Sequence, residues 1–170
     1  QLILVGDVLQ LPAIGPGNVL SDLIDSASIP VFSLNKIFRL DSESAIVINA
    51  HKVRQGNFEV DSQPKAIDDT SDFYFIEEHN PDRVARVILQ LCSRDLPLKF
   101  DLDPILDLQV LTPMHKGAVG TINLNHLLQK TLNPGPALIE TMGNSYKAGD
   151  KVMQQVNNYQ KNVYNGDIGV

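Results

Sequence analysis

The 170 residues predict an α/β fold with a largely parallel sheet, and two patterns carry that reading. Short continuous apolar runs stand where strands buried on both faces would lie. Between them come stretches of roughly 10–15 residues with apolar side chains at helical spacing. Composition agrees: 43% hydrophobic and 20% charged residues are near the average for globular chains, which excludes coiled coil, collagen-like repeats and wholesale disorder. No apolar run approaches the ~18 residues of a membrane span. The start, Gln1-Leu2-Ile3-Leu4-Val5-Gly6-Asp7, has neither Met nor a basic segment. It reads as a strand entered in mid-run and not as a signal peptide, an expectation of a piece of a longer protein.

Leu2, Ile3, Leu4 and Val5 predict the first buried strand. Gly15-Pro16-Gly17 predicts a turn, after which Val19, Leu20, Leu23 and Ile24 form a short helix that stops near Ser26. Residues 29–34 predict a second strand, with Pro30 tolerated near its beginning. Ile46, Val47, Ala50 and Val53 mark one face of a helix, and Gly56 suits its C-terminal stop. Residues 56–72 carry five acids and one base, a net of −4, and read as a solvated loop holding most of the formal net charge of −6.

Phe73, Tyr74, Phe75 and Ile76 predict a third strand. Asn80-Pro81 is a good N-cap and first-turn pair, and Val84, Val87, Ile88 and Leu91 continue that helix. Residues 108–111 predict a fourth strand running into Thr112-Pro113-Met114. A helix bearing Ile122, Leu124, Leu127, Leu128 and Leu132 follows, closed by Asn133-Pro134-Gly135-Pro136. Near Gly143 the character changes. Residues 151–156 and those from Val163 onward predict β structure around a polar turn at 157–162.

A chain with a net charge of −6 cannot hold nucleic acid by a diffuse positive field, although a local channel stays open to it. The single cysteine, Cys92, forms no internal disulfide and reads as a buried thiol in a reducing, cytoplasmic setting. His51, His79, His115 and His126 are scattered without a Cys cluster, so no zinc spacing exists and no metal ligand is assigned.

Three segments carry polar groups where chemistry could happen. Gly6-Asp7-Val8-Leu9-Gln10-Leu11-Pro12 follows a predicted strand, and ligands of open parallel sheets sit beyond strand carboxyl ends. Asp7 can accept from a metal-bound water or an amide, and Gln10 can donate and accept; the plain alternative is an Asx-type turn. Thr112, Pro113, Met114, His115 and Lys116 precede a helix. There the hydroxyl, the helix-start amides and Lys116 can hold a phosphodiester, or simply cap the helix. Asn157, Asn158 and Tyr159 offer amides and an aromatic face for a base, or form an Asn-rich turn.

The combination of blocks is more specific than its parts. Gly6-Asp7-x-x-Gln10-Leu11-Pro12-x-x-Gly15-Pro16-Gly17-Asn18-Val19-Leu20 resembles motif III of superfamily-one helicases of the RecD/TraA type. Ile37-Phe38-Arg39 with Asn49-Ala50-His51 resembles their motif IV region. Val110-Leu111-Thr112-Pro113-Met114-x-Lys116-Gly117-x-x-Gly120 resembles the next block. Gly149-Asp150-Lys151-Val152-Met153-Gln154-x-x-Asn157-Asn158-Tyr159 and Asn165-Gly166-Asp167-Ile168-Gly169 resemble a fourth. Two positions depart from the family pattern: Leu40 stands where Gln usually follows the Arg, and Ala13 where Ser usually follows Leu-Pro.

The resemblance implies a RecA-like, P-loop NTPase-type parallel sheet with flanking helices, incomplete here, and a β-rich C-terminal segment. Residues 1–28 would close a first motor lobe, 29–142 would belong to a second, and 143–170 would lead into a β insertion. Gln10 and Arg39 are the implied catalytic residues, Arg39 as an arginine finger where the plain reading is a structural partner of Asp41 or Glu43. Gly6, Asp7, Gln10 and Arg39 would face ATP and Mg²⁺ in the intact enzyme. Thr112, Pro113, Lys116, Asn157, Asn158 and Tyr159 would face single-stranded DNA. The remaining motor lobe, and other nuclease or helicase subunits, are implied partners; a membrane is not.

The sequence contains no Gly-x-x-x-x-Gly-Lys-[Ser/Thr] and no Asp-Glu dipeptide, so the chain alone is expected to bind no nucleotide and to be inactive. The alternative from another class is a non-catalytic α/β module of helicase ancestry that binds protein or DNA.

Overall fold

The computed structural model describes residues 2–8, 10, 15–34, 44–57, 71–141 and 143–170. The chain divides into two compact units, Gln1–Glu77 and Glu78–Val170.

In the first unit, α1 (Val19–Asp25) follows the turn at Gly15 and Gly17, and its Leu20 lies against Gly6. A Cβ built on Gly6 would stand 2.6 Å from Leu20 Cδ2, so glycine lets the loop approach the helix. The second helix, α2 (Ala45–Arg54), starts at Ser44, whose Oγ accepts from the Val47 amide at 3.3 Å. It ends in a Schellman motif: Asn57 N donates to Lys52 O and Gly56 N to Val53 O, with Gly56 at φ +73°. His51, Lys52 and Arg54 in the last turn complement the negative end of the helix dipole.

The second unit is built on α3 (Pro81–Gln90), a π-helical turn (Leu91–Asp95), α4 (Leu96–Phe100) and α5 (Thr121–Leu132). Asn80 Oδ1 accepts from the Asp82 and Arg83 amides at 3.0 and 3.1 Å, and Pro81 occupies the position where a missing N–H costs nothing. In the π turn Leu96 N donates five residues back to Leu91 O. That widened turn leads into Pro97, which starts α4 where its absent N–H is tolerated. The buried centre of this unit comprises Ala85 from α3, Cys92 from the π turn and Leu124 from α5. Leu124 retains 2% of its exposure, and burying such a side chain contributes about 1.5–3 kcal/mol. Burial also pushes the Cys92 thiol up, as expected of a structural cysteine.

Two small antiparallel sheets follow. β1 (Ile139–Thr141) pairs with β2 (Asn144–Tyr146), and Gly143 at φ +92° makes the tight turn between them. β3 (Val152–Met153) pairs with β4 (Ile168–Gly169), and an isolated bridge joins Asn158 to Val163 within the connection. This agrees with the β structure expected beyond Gly143.

Four expected strands are corrected by the structure. Residues 2–5, 29–34, 73–76 and 108–111 are irregular and form no strand. A central strand needs neighbours on both edges to receive its N–H and C=O groups. The described residues supply none, and Val5, Phe32 and Leu34 stand almost fully exposed. At Leu108 the carbonyl accepts instead from Lys151 Nζ at 2.9 Å. Among the described residues the strand pairs are antiparallel, and no parallel pair occurs.

Candidate nucleic-acid interface

The loop after residues 2–5 is a closed turn. Gln10 N donates to Asp7 O, and Gln10 Nε2 donates to Asp7 Oδ2, both at 3.3 Å. Gly6, Asp7 and Gln10 are therefore brought together on an exposed loop, and the Gln10 amide is turned toward Asp7. Arg39, with Leu40 and Ala13, lies outside the described residues.

The loop from Thr112 to Gly120 is strapped to the start of α5. Thr112 Oγ1 donates to Val119 O at 2.7 Å and lies 3.5 Å from the Met114 amide. Asn123 Nδ2 donates to Ala118 O at 2.7 Å. Thr121 N donates to Met114 O and Ile122 N to His115 O, while His115 Nδ1 meets Thr121 Oγ1 at 2.7 Å. These bonds engage two of the helix-start amides and the Thr112 proton inside the loop. A phosphate would find the exposed Lys116, whose ammonium meets no carboxylate among the described residues. Pro113 is exposed beside it.

Gly120 is required for space and not for its dihedral angles, since φ is −78°. A Cβ there would stand 2.6 Å from the backbone carbon and oxygen of Lys116 and 2.7 Å from the His115 carbonyl carbon. Gly117 has open surroundings but φ +93°. The two glycines thus bend the same loop for different reasons.

At the other end of α5, Asp150 gathers three donors. Gln129 Nε2, Lys147 N and Asn133 Nδ2 reach its carboxylate at 2.6, 2.7 and 2.8 Å. Asn133 also donates to Ala148 O, and Lys147 Nζ donates to Asn133 O. Residues 133 and 147–150 thereby fix the β segment to the end of the helix whose beginning carries the Lys116 loop.

The connection between β3 and β4 holds the Asn-rich turn. Asn158 exchanges backbone bonds with Val163, and its Oδ1 accepts from Lys161 N at 3.1 Å. Asn157 Oδ1 accepts from Asn165 N at 2.8 Å, and its Nδ2 donates to the Tyr159 hydroxyl at 3.2 Å. Both Asn side chains therefore shape the turn. The Tyr159 ring stands out from it, 76% exposed.

The order of these pieces matches known proteins. Residues 1–81 match the profile of an AAA domain, and residues 124–170 match that described as the ATP-dependent RecD-like DNA helicase SH3 domain. Over all 170 residues the chain is 31% identical to the ATP-dependent RecD2 DNA helicase of Deinococcus radiodurans. By these matches the chain is similar to RecD-type helicases.

It spans 21% of the length of that RecD2 relative. The RecD-like SH3 match covers most of α5 and all four strands, so the Asp150 junction lies within it. The sequence marks Asn133 as a helix stop and Asp150 as part of a family block, but does not show that they and Gln129 meet. The Gly149-Asp150 pair is the available signal, since glycine and aspartate favour turns in which the carboxylate accepts from nearby backbone amides.

The nucleotide that the resemblance implies finds no fitting cradle among the described residues. Gln10 Nε2 is directed to Asp7, and no three His, Cys, Asp or Glu side chains gather to hold a metal ion. None of the described helices is long and apolar enough to cross a membrane.

Proposed function

We propose that this chain is the part of an ATP-dependent DNA helicase that links the motor to an SH3-like module and contacts single-stranded DNA. The observation carrying this reading is the identity to RecD2 over the full 170 residues, with the AAA and RecD-like SH3 matches in sequence order. In the intact enzyme, residues 1–28 close one RecA-like lobe, residues 29–142 belong to the second, and residues 143–170 begin the β module. Gly6, Asp7, Gln10 and Arg39 belong to the nucleotide side, where ATP and Mg²⁺ are cofactors of the whole enzyme. The remaining motor lobe is the partner of that side, and other nuclease or helicase subunits are further partners.

On the DNA side, the geometry supports a division of labour. Lys116 takes a phosphate, with Pro113 beside it, and the turn bearing Tyr159 meets the strand. Thr112, Asn157 and Asn158 hold the two loops in shape through the bonds they make. Few phosphates are neutralised, so binding should be weak and only shallowly dependent on salt.

Anisotropy titrations of labelled single-stranded and duplex oligonucleotides at several salt concentrations test this. The expected result is preference for the single strand, with Lys116→Ala lowering affinity and reducing the salt slope by about 0.7. Preference for duplex, or indifference to Lys116→Ala, would overturn the reading.

A further inference from the structure

From Lys151 to Gly166 the chain carries two lysines and no acidic residue, within a sequence of net charge −6. Lys151 is occupied, donating to Leu108 O at 2.9 Å and lying 3.5 Å from Leu106 O. Lys161 remains exposed at the turn, and among the described residues its ammonium meets no carboxylate. The acids that close the segment at either end, Asp150 and Asp167, are both engaged by backbone amides, Asp167 accepting from Tyr164 N at 2.7 Å.

Two rings flank Lys161. Tyr159 and Tyr164 meet edge to face, with centroids 6.0 Å apart and planes at 71°. Each hydroxyl is anchored by an asparagine: Asn157 Nδ2 donates to that of Tyr159, and Tyr164 donates to Asn162 Oδ1 at 2.7 Å. Asn162 itself takes φ +54°, a left-handed conformation that Asn tolerates better than most residues. An edge-to-face contact covers at most one face of one ring, so the pair keeps open aromatic surface. Tyr159 carries most of it; Tyr164 is 42% exposed.

We propose that this tip docks one unpaired nucleobase. The base stacks on Tyr159, Lys161 takes the adjoining phosphate, and Tyr164 acts as a positioning residue that holds the Tyr159 ring at its angle. Rings already fixed at both ends lose little freedom on binding, which favours stacking. Proline-rich peptides dock in grooves between aromatic walls, and an edge-to-face pair leaves no groove between its rings. The inference rests on the reading of the chain as a single-strand-binding part of a helicase.

The test compares a labelled oligothymidine with an abasic strand of the same length, using the full chain. Wild type is expected to prefer the base-bearing strand by ~5- to 100-fold, the range of one stacked base. Tyr159→Ala should remove that preference. Tyr164→Ala should reduce it, Tyr164→Phe should retain most of it, and the double alanine variant should be no weaker than Tyr159→Ala alone. Lys161→Ala should weaken both strands equally. The wild-type comparison needs no variant, so misfolding cannot mask it. Equal affinity of wild type for the two strands, with Lys116→Ala still weakening both, would overturn the docking tip and leave the helicase reading intact. Displacement of the oligonucleotide by a proline-rich peptide would also overturn it. Absence of binding to either strand would tell against the helicase reading itself.

Discussion

The Ser44 hydroxyl donates to the Asp72 carboxylate at 2.5 Å, so a residue 28 positions further along closes the N-terminus of α2. The same carboxylate accepts from the Ala45 and Ile46 amides at 2.8 and 3.3 Å. Three donors at a helix start favour the charged form, and Ser44 first among them holds the Asp72 carboxyl below the usual aspartate value.

That cap predicts acid sensitivity in the first unit. A carboxyl with a lowered folded pKa stabilises above its unfolded value of about 3.9 and loses this contribution as pH falls through the folded pKa. Stability followed by urea unfolding should therefore drop below about pH 4. In Asp72→Asn the same acid range should show a smaller change, with lower stability at neutral pH. An unaltered acid profile in Asp72→Asn would remove the cap from the account.

Gly120→Ala and Gly117→Ala should differ in kind. The first drives a methyl group into the backbone of His115 and Lys116, and overpacking of this sort costs about 1–3 kcal/mol. The second meets open space and is penalised by its positive φ alone, roughly 1–2 kcal/mol. Substituting D-alanine at each position by chemical ligation separates them. At 117 the D residue should restore stability, because its preferred φ is positive. At 120 it should give no restoration.

Asp150→Ala leaves the Lys147 amide and the Gln129 and Asn133 carboxamides without their shared acceptor. Loss of such a partner costs about 1–3 kcal/mol. Hydrogen exchange should show the Lys147 amide opening faster while amides of α3 keep their protection. Uniform acceleration across the second unit would mean that Asp150 supports the whole unit and not the junction.

Phosphate release from ATP by the chain alone, with Mg²⁺ and single-stranded DNA present, should stay at the buffer baseline. The positioning and charge neutralisation supplied by a P-loop have no counterpart in this sequence. Turnover above baseline would show that another nucleotide cradle exists.

Helices were readable in advance because their signals are local. Asn80-Pro81 sets one start and Gly56 one stop, each within a turn of the helix it serves. The strands at 2–5, 29–34, 73–76 and 108–111 were not, because an apolar run reports burial and says nothing of whether a ladder partner is at hand. Among site residues, Gln10 and Asp7 turned out to bond one another as their spacing allowed. The Asp150 junction stayed hidden because its side-chain donors lie 17 and 21 positions away. Likewise, nothing in Thr112-Pro113 shows that the hydroxyl is taken by Val119. Arg39 lies outside the described residues.

The π turn at Leu91–Asp95 has a consequence for how this chain tolerates change in length. A π turn holds one residue more than the α turn it replaces, so it works as a splice that keeps α3 in phase with the core while rotating everything after it. Deleting Ser93, an exposed residue within the turn, should close the splice into continuous α-helix without disturbing Ala85. It would swing Leu98 and Phe100 by about 100° around the helix axis and bring Pro97 into the helix interior, where its ring clashes with the preceding turn. The extra residue is what lets a proline follow α3 so closely.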